Sequence, residues 1–331
     1  MGKLSGYKEP EVQPQPGEQP QPGKETQPKE PSIVIKKGEE PKGLLGMEAA
    51  IASANYLMRD LVTDDGVPEG SRVWVDIGSE TNKHKSGTKF KNEHKDVKVG
   101  VDNEIGNELT TRLEFGYSKG KGKYNFGSKG DLEAYYIQGK VAQKVSKDGT
   151  VMLSMTLGRV ENDYKVASAN NHVLSGKYKN IAYGVGARYG HKVEFDGSYV
   201  EPFAQMNLTH MPSKSSNATS TSGNKIKIDT KSSNSVLGKV GVKVGKTMDA
   251  ASIYGKVTVN HEFNGDVENS YSLGANRETR KTKGQETWSD AMIGGAYNIA
   301  PGVKVSLEVS KGVAGDYQKN WKAETKVTYT F

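Results

Sequence analysis

The sequence predicts an all-β fold: a 12-stranded antiparallel up-and-down transmembrane β-barrel with an N-terminal α-helix threading the lumen. Two observations predict it. Apolar and polar residues alternate through most of the chain, and no apolar run reaches the roughly 18 residues of a membrane-spanning helix. The mean hydropathy of −0.69 is compatible with a barrel, because only every second residue of a barrel strand meets lipid.

The last eleven residues show the pattern most clearly. One parity carries Trp321, Ala323, Thr325, Val327, Tyr329 and Phe331, and the other carries three charged residues and two threonines. Successive strand residues point to opposite faces, so one face is apolar and aromatic and the other is charged. A lipid-facing outside and a wet inside fit this arrangement.

Composition narrows the classes of function. The chain has no cysteine, which excludes disulfides and thiolate metal sites. The net charge of +7 is dispersed along the chain. Because the sequence has no compact basic recognition motif, we do not expect nucleic-acid binding. A His-Glu-x-x-His motif, a P-loop and a nucleophile elbow are all missing, so we expect neither an enzyme nor a metal or other cofactor. The first eight residues have no apolar segment of a signal peptide, so we expect an exported form to derive from a longer precursor.

The N-terminal part divides into a linker and a helix. Residues 1–43 hold eight of the twelve prolines, a composition that predicts a disordered, Pro-rich linker. Residues 44–62 read as a helix that ends by residue 66, and its length of about 28 Å approaches the thickness of a bilayer core. Its middle is narrow because it is rich in alanine. By itself this segment fits a helix packed on a soluble core better than one in a barrel.

Residues 71–331 read as β-structure, with a polar parity that faces a lumen. The predicted strands are 71–79, 94–103, 109–119, 131–146, 149–161, 178–193, 197–209, 233–247, 250–263, 287–299, 302–312 and 320–331. The connections alternate between long and short, as turns and loops do at the two ends of an outer-membrane barrel. The charged lumen candidates are Arg72, Asp76, Lys98, Asp102, Arg112, Glu114, Lys140, Arg188, Glu201, Lys239, Lys243, Lys256, Glu262, Asp290, Lys304 and Glu308.

The order of these parts resembles the C-terminal β-barrel translocator domain of autotransporters (type Va secretion). The segment YVEPFAQMN at 199–207 looks like one of the family's strands, and MRDL at 58–61 looks like the end of its linker helix. The segments 290–297, 303–310 and 321–331 resemble its closing hairpins. The similarity covers residues 44–331.

The resemblance implies a Gram-negative outer-membrane translocator that exports and anchors an N-terminal passenger on the cell surface. It implies three partners, which are the barrel assembly machinery, the lipid bilayer and the chain's own passenger. It also implies that the chain is a monomer. Val327, Tyr329 and Phe331 would form the insertion signal read by that machinery. Arg59, Asp60, Arg188 and Glu201 would contact helix or lumen.

The resemblance also bears on passenger release. Some members release the passenger by cyclisation of a helix asparagine about two turns before the position of Asp60. Ala52 and Ser53 stand there, and Asn55 is too near Asp60, so we expect no self-cleavage.

Two other functions remain as alternatives to a translocator. One is a passive 12-stranded channel or porin, which needs no helix, and the other is a soluble β-rich adhesin.

Overall fold

The computed structural model describes residues 42–63, 66–85, 87–168 and 172–331, except the side chain of Gln318. It contains one long helix and one continuous sheet. Helix α1 is Lys42–Val62. The strands are β1 Arg72–His84, β2 Phe90–Ile105, β3 Leu109–Tyr124, β4 Lys129–Lys144, β5 Gly149–Ala167, β6 Val173–His191, β7 Val193–Phe195, β8 Ser198–Met211, β9 Lys214–Ser220, β10 Lys225–Thr230, β11 Ser233–Thr247, β12 Ala251–Glu262, β13 Val267–Leu273, β14 Asn276–Thr282, β15 Glu286–Ala300, β16 Val303–Ala314 and β17 Tyr317–Thr330.

Twelve long strands form a closed antiparallel barrel, as predicted. They are β1 to β6, β8, β11, β12 and β15 to β17. Strand β1 pairs with β2 on one side and with β17 on the other, from Arg72 opposite Thr330 to His84 opposite Tyr317. Closure leaves no open edge along the wall, which is what a bilayer requires of strands.

Apolar side chains form the outer band of the wall, and polar ones line the lumen. On β1, Val73, Val75 and Ile77 are exposed at 44%, 43% and 59%, whereas Trp74 and Asp76 are 4% exposed. The exposed band holds, among others, Val97, Val99, Val101, Leu113, Phe115, Ile137, Leu153, Met155, Leu157, Val185, Leu208, Val242, Val257, Ile293 and Leu307. All of the predicted charged lumen residues lie on the inward parity.

The two ends of the barrel differ. At the turn end, strands are joined by tight connections such as residues 248–250 and 301–302, and Asp196 and Gly197 take positive φ in the connection before β8. At the hairpin end, β9–β10 and β13–β14 form two extra hairpins.

The long connections expected at 80–93, 120–130, 162–177 and 313–319 are mostly strand. There, β1 and β2 stay paired as far as His84 and Phe90, and β5 and β6 as far as Ala167 and Val173. Backbone pairing continues beyond the apolar band because hydrogen bonding does not depend on an apolar outer face, and the hydropathy pattern does not reveal it.

Helix α1 lies inside the barrel. Seventeen of its 21 residues are buried, on every face, as in a helix surrounded by protein. It starts at Lys42, within the segment expected to be linker, and Gly66 lies beyond its end. The expectation for residues 1–41 falls outside the described residues. No described helix combines the length and apolarity needed to cross a bilayer.

Candidate functional site: a helix held in the barrel lumen

The N-terminal part of the helix is held by an ion pair and two hydroxyl groups. Oε1 of Glu48 accepts hydrogen bonds from the hydroxyls of Thr88 and Thr282, at 3.0 and 2.9 Å. Its Oε2 accepts one from Nε of Arg280 on β14, at 2.8 Å. Burial opposes the charge of Arg280, but its hydrogen bonds to Glu48 and Glu278 more than offset this and raise the pKa of Arg280. The outer hairpin is thus tied to the helix.

Two glycines let this part of the helix approach the wall. A Cβ added at Gly43 would lie 2.7 Å from Cδ1 of Leu174. One added at Gly46 would lie 2.8 Å from Cβ of Val166. Real Cβ atoms do not come this close. The Cδ1 of Leu174 ends a flexible side chain that can turn away, but the Cβ of Val166 is fixed by the backbone, so Gly46 is the position where glycine lets the helix seat against β5.

Amide side chains of the wall bind the middle of the helix. Asn162 donates from Nδ2 to the carbonyl of Ala50 at 2.7 Å, and Asn92 donates to the carbonyl of Ser53 at 3.0 Å. The surrounding alanines are fully buried. Small residues and wall amides together fix both the position and the rotation of the helix.

Asn55 is held by a wall tyrosine. The hydroxyl of Tyr178 donates to Oδ1 of Asn55 at 2.9 Å. Tyr178 is itself fully buried, and its hydroxyl also accepts a bond from Asn180. The Asn55 side chain is therefore engaged with the wall through its oxygen.

The C-terminal part of the helix places Arg59 in an aromatic cage. The guanidinium carbon lies 4.3, 4.9 and 4.8 Å from the ring centres of Tyr56, Trp288 and Tyr317. Cation–π attraction is strongest where the cation is desolvated, and Arg59 is 4% exposed. Carboxylates complete the surroundings, with Asp60 at 3.2 Å and Glu262 and Glu286 each at 3.7 Å.

Asp60 connects this cage to the wall. Its Oδ2 accepts hydrogen bonds from Nδ2 of Asn82 and from the hydroxyl of Tyr317. Tyr317 opens β17, so the last strand of the barrel contacts the helix directly. The sequence-predicted residues Arg59 and Asp60 thus lie together, against β1, β12, β15 and β17.

Lysine and amide side chains bind the carbonyls that follow the helix. Gln138 donates to the carbonyl of Val62 at 3.3 Å, and Lys239 donates to that of Thr63 at 2.6 Å. Lys140 donates to the carbonyl of Gly66 at 3.0 Å. Val62 is the last residue of the helix, and its carbonyl has no partner within the helix. Lumen side chains thus bind both this carbonyl and those of the segment that follows.

Arg188 and Glu201 lie elsewhere in the lumen. Nη2 of Arg188 is 2.6 Å from Oε1 of Glu201, and the guanidinium lies over the ring of Phe203. The pair borders a cavity of about 420 Å³ at the turn end, together with Gly66 and Glu69. Among the described residues the ion-pair partner of Arg188 is Glu201, and the pair lies in the lumen away from the helix contacts made at Glu48 and Arg59.

The expected insertion-signal residues lie on the outer surface. Val327, Tyr329 and Phe331 are 47%, 51% and 67% exposed. On β17, Val327 lies opposite Val75 and Tyr329 lies opposite Val73. Their side chains therefore belong to the lipid-facing band beside the closing seam.

Sequence reasoning missed the partners of Glu48. Arg280, Thr282 and Thr88 lie in segments that were expected to be loops. A signal was present, because a buried helix carboxylate needs a countercharge. Nothing local indicated which of the outer cations would supply it.

The fold and this site define a class: an outer-membrane type of β-barrel whose lumen is occupied by a helix of the same chain. A family model described as the autotransporter beta-domain matches residues 73–310. The chain therefore belongs to the autotransporter β-domain family.

Individual relatives agree. The pertactin autotransporter of Bordetella parapertussis is 26% identical over 208 residues, which is 60% of this chain and 21% of that protein. The chain thus spans about a fifth of that relative's length. The translocator domain of the autotransporter NalP from Neisseria meningitidis has a TM-score of 0.72 at 15% identity, covering 86% of this chain and 99% of that one. The β-domain of the Bordetella autotransporter BrkA has a TM-score of 0.61 at 15% identity, covering 80% and 100%.

Proposed function

We propose that this chain is the translocator of an autotransporter: it inserts into the Gram-negative outer membrane as a monomer, exports an N-terminal passenger and anchors it at the cell surface. The observation that carries the proposal is the buried helix, bound to the wall at Glu48, at its middle and at Arg59. A passive channel has no need of a covalently attached helix that fills its lumen. The match to autotransporter β-domains supports the same conclusion.

The direction of the helix fits an outward-leading tether. Gly43 lies beside Leu174 near the hairpin end, and Thr63 is bound by Lys239 deeper in the lumen. In outer-membrane barrels the short turns face the periplasm and the longer connections face outside. The chain preceding Lys42 would therefore lead to the surface, with residues 1–43 as a linker to the passenger.

Assembly would use strand pairing at β17. We propose that the barrel assembly machinery reads Val327, Tyr329 and Phe331 through an exposed apolar strand face, before β17 pairs with β1. Once β17 has paired with β1, from Arg72 opposite Thr330 onward, β17 has no free edge left for the machinery to pair with. The proposed mechanism includes no catalytic step and no release of the passenger by Asn55.

Surface display tests the proposal. A reporter domain is placed between a signal peptide and Met1 of the full chain, and intact cells are treated with a protease too large to cross the outer membrane. We expect the reporter to be cleaved while the barrel is protected. A reporter that stays protected in intact cells and is cleaved only after lysis would contradict export.

A further inference from the structure

A belt of charged side chains covers the outer wall of β1 to β6 beyond the apolar band, towards the hairpin end. Its members occupy the outward parity of these strands. The belt has eleven cations: Lys83, Lys91, Lys95, Lys119, Lys121, Lys123, Lys129, Arg159, Lys165, Lys177 and Lys179. It has five carboxylates: Glu93, Asp131, Glu133, Glu161 and Asp163. We call this surface the cationic belt.

The row of the belt farthest from the apolar band consists of lysines alone on five consecutive strands. Lys83 lies directly opposite Lys91, Lys91 opposite Lys123, Lys123 opposite Lys129, and Lys129 opposite Lys165. Like charges directly opposite one another on a sheet face are destabilising. This row therefore needs anions from outside the row.

The protein supplies few of them. Glu93, one row below, accepts from Lys91 at 2.5 Å and from Lys123 at 3.0 Å. Within the described part of the chain, Lys129 and Lys165 have no ion-pair partner. Lower in the belt, Lys119 pairs with Glu133, and Arg159, Lys177 and Lys179 pair with Glu161. The unneutralised positive charge is therefore concentrated in the outermost row, at Lys129 and Lys165.

The belt is confined to one side of the barrel. On β8, β11, β12 and β15 the outward positions beyond the apolar band include His210, Asn234, His261 and Thr287. None of these four carries a fixed charge. The hairpins β9–β10 and β13–β14 on that side do carry exposed lysines, such as Lys225, Lys227 and Lys281, but their cross-strand partners are polar or acidic residues and not lysines. The row of mutually opposed lysines belongs to β1 to β5, which favours an anionic ligand bound to that face.

The height of the belt indicates what kind of anion it suits. The last outward apolar residue of β1 is Ile77, and Lys83 lies six residues further on. Six residues span about 20 Å along a strand, or about 15 Å above the hydrocarbon edge at a tilt of about 40°. The headgroup layer of a phospholipid is only about 5–8 Å thick. The lysine row therefore extends beyond phospholipid headgroups.

We propose that the cationic belt binds an acidic glycolipid of the surrounding outer leaflet. Phosphates on its membrane-proximal sugars would meet the lower cations, such as Lys95 and Lys121. Phosphates or carboxylates on the next sugars would meet the row from Lys83 to Lys165. The inference rests on the proposed function only in placing the hairpin end outside.

Lipid binding to the full-length chain in detergent tests the proposal. The probes are bisphosphorylated lipid A, lipid A extended by its acidic inner-core sugars, and phosphatidylglycerol, with bound lipid counted by native mass spectrometry. The variant Lys123→Gln/Lys129→Gln/Lys165→Gln removes three belt charges. The matched control Lys214→Gln/Lys246→Gln/Lys311→Gln removes three exposed lysines elsewhere. Heat-dependent gel mobility verifies that every variant is folded.

We expect the unsubstituted chain to retain the core-extended glycolipid at least tenfold better than phosphatidylglycerol. The belt variant should lose about tenfold or more of that affinity, and the control variant less than twofold. Equal losses in the two variants would mean that net charge alone acts, and would overturn the proposal. Equal retention of phosphatidylglycerol, or equally effective competition by soluble inositol hexakisphosphate, would overturn it too.

The belt and the translocator proposal fail separately. Loss of glycolipid binding in the unsubstituted chain, with surface display of a fused reporter intact, overturns only the belt. Loss of display with glycolipid binding intact overturns only the translocator proposal.

Discussion

Arg280 and Glu48 are 232 positions apart in the chain, yet Nε of Arg280 lies 2.8 Å from Oε2 of Glu48. One belongs to an outer hairpin and the other to the lumen helix. Glu48 is 4% exposed, so the pair is formed in a largely dry site. This contact connects the hairpin end of the barrel to the helix that lies in the lumen.

Arg280→Ala should loosen the helix. The change leaves a buried carboxylate with only two hydroxyl donors, at a cost of about 1–3 kcal/mol. We expect open events in planar-bilayer recordings to become roughly tenfold more frequent, since a factor of ten corresponds to about 1.4 kcal/mol. Arg277→Ala on the same hairpin is the matched control, and an equal increase in that variant would contradict a specific role for Arg280.

Arg59→Ala should destabilise the barrel and its helix together. It leaves Glu262 and Glu286 without the cation between them, and removing one partner of a buried charge group costs about 3–5 kcal/mol. We expect the temperature of the heat-induced gel shift to fall. Arg59→Lys should recover only part of the loss, because an ammonium fits the three-ring cage less well than a planar guanidinium. Full recovery with lysine would argue against the cage.

Gly46→Val should prevent the helix from seating. Its Cβ would overlap Val166, and overpacking a tight contact costs about 1–3 kcal/mol. A Cβ at Gly139, on the outer wall of β4, would meet nothing within 4 Å, so Gly139→Val is the control. We expect greater conductance and a lower unfolding temperature for Gly46→Val alone. Unchanged behaviour would show that the helix does not occupy this position.

Deletion of Phe331 should impair assembly of the barrel in cells but leave the stability of the folded barrel nearly unchanged. The side chain is 67% exposed, so refolding of purified chain into detergent should be nearly unaffected. In cells, we expect the heat-modifiable folded fraction to fall severalfold, because the proposed insertion signal is incomplete. A deletion that impairs refolding in detergent as much as assembly in cells would point to a structural role instead.

Asn55→Ala should leave passenger processing unchanged. With a reporter upstream, the unsubstituted chain should show no fragment beginning within residues 52–56, as judged by N-terminal sequencing. The hydroxyl of Tyr178 donates a hydrogen bond to the side-chain oxygen of Asn55. We propose no cleavage of the backbone by the side-chain amide nitrogen of Asn55. A fragment that starts at residue 56 and disappears in Asn55→Ala would show that the helix cleaves itself.

Hydropathy alternation was sufficient to predict the barrel, the strand number and the inward parity of the charged residues. It failed where the barrel leaves lipid. On β5, Arg159 and Glu161 replace the outward apolar residues, so the predicted strand stopped near residue 161 although pairing continues to Ala167. The hairpin β9–β10 was missed inside a polar segment, although Ile226 and Ile228 alternate with lysines and offered a short signal.

The site was only partly predictable. Arg59 and Asp60 could be singled out because the segment 58–61 resembles the end of the family's linker helix. Their partners Trp288 and Tyr317 could not be assigned, since contacts across more than 200 residues depend on barrel closure and register. Arg188 and Glu201 were expected to contact the helix or the lumen, without a choice between the two, and they pair with each other across β6 and β8.

Single-channel conductance tests most directly the claim that the helix closes the barrel. The intact chain is compared with one lacking residues 1–62 in the same planar bilayers. The account predicts a small, mostly closed conductance for the intact chain and a large, stable one after the deletion. Equal, large conductance in both would contradict it and favour a passive channel.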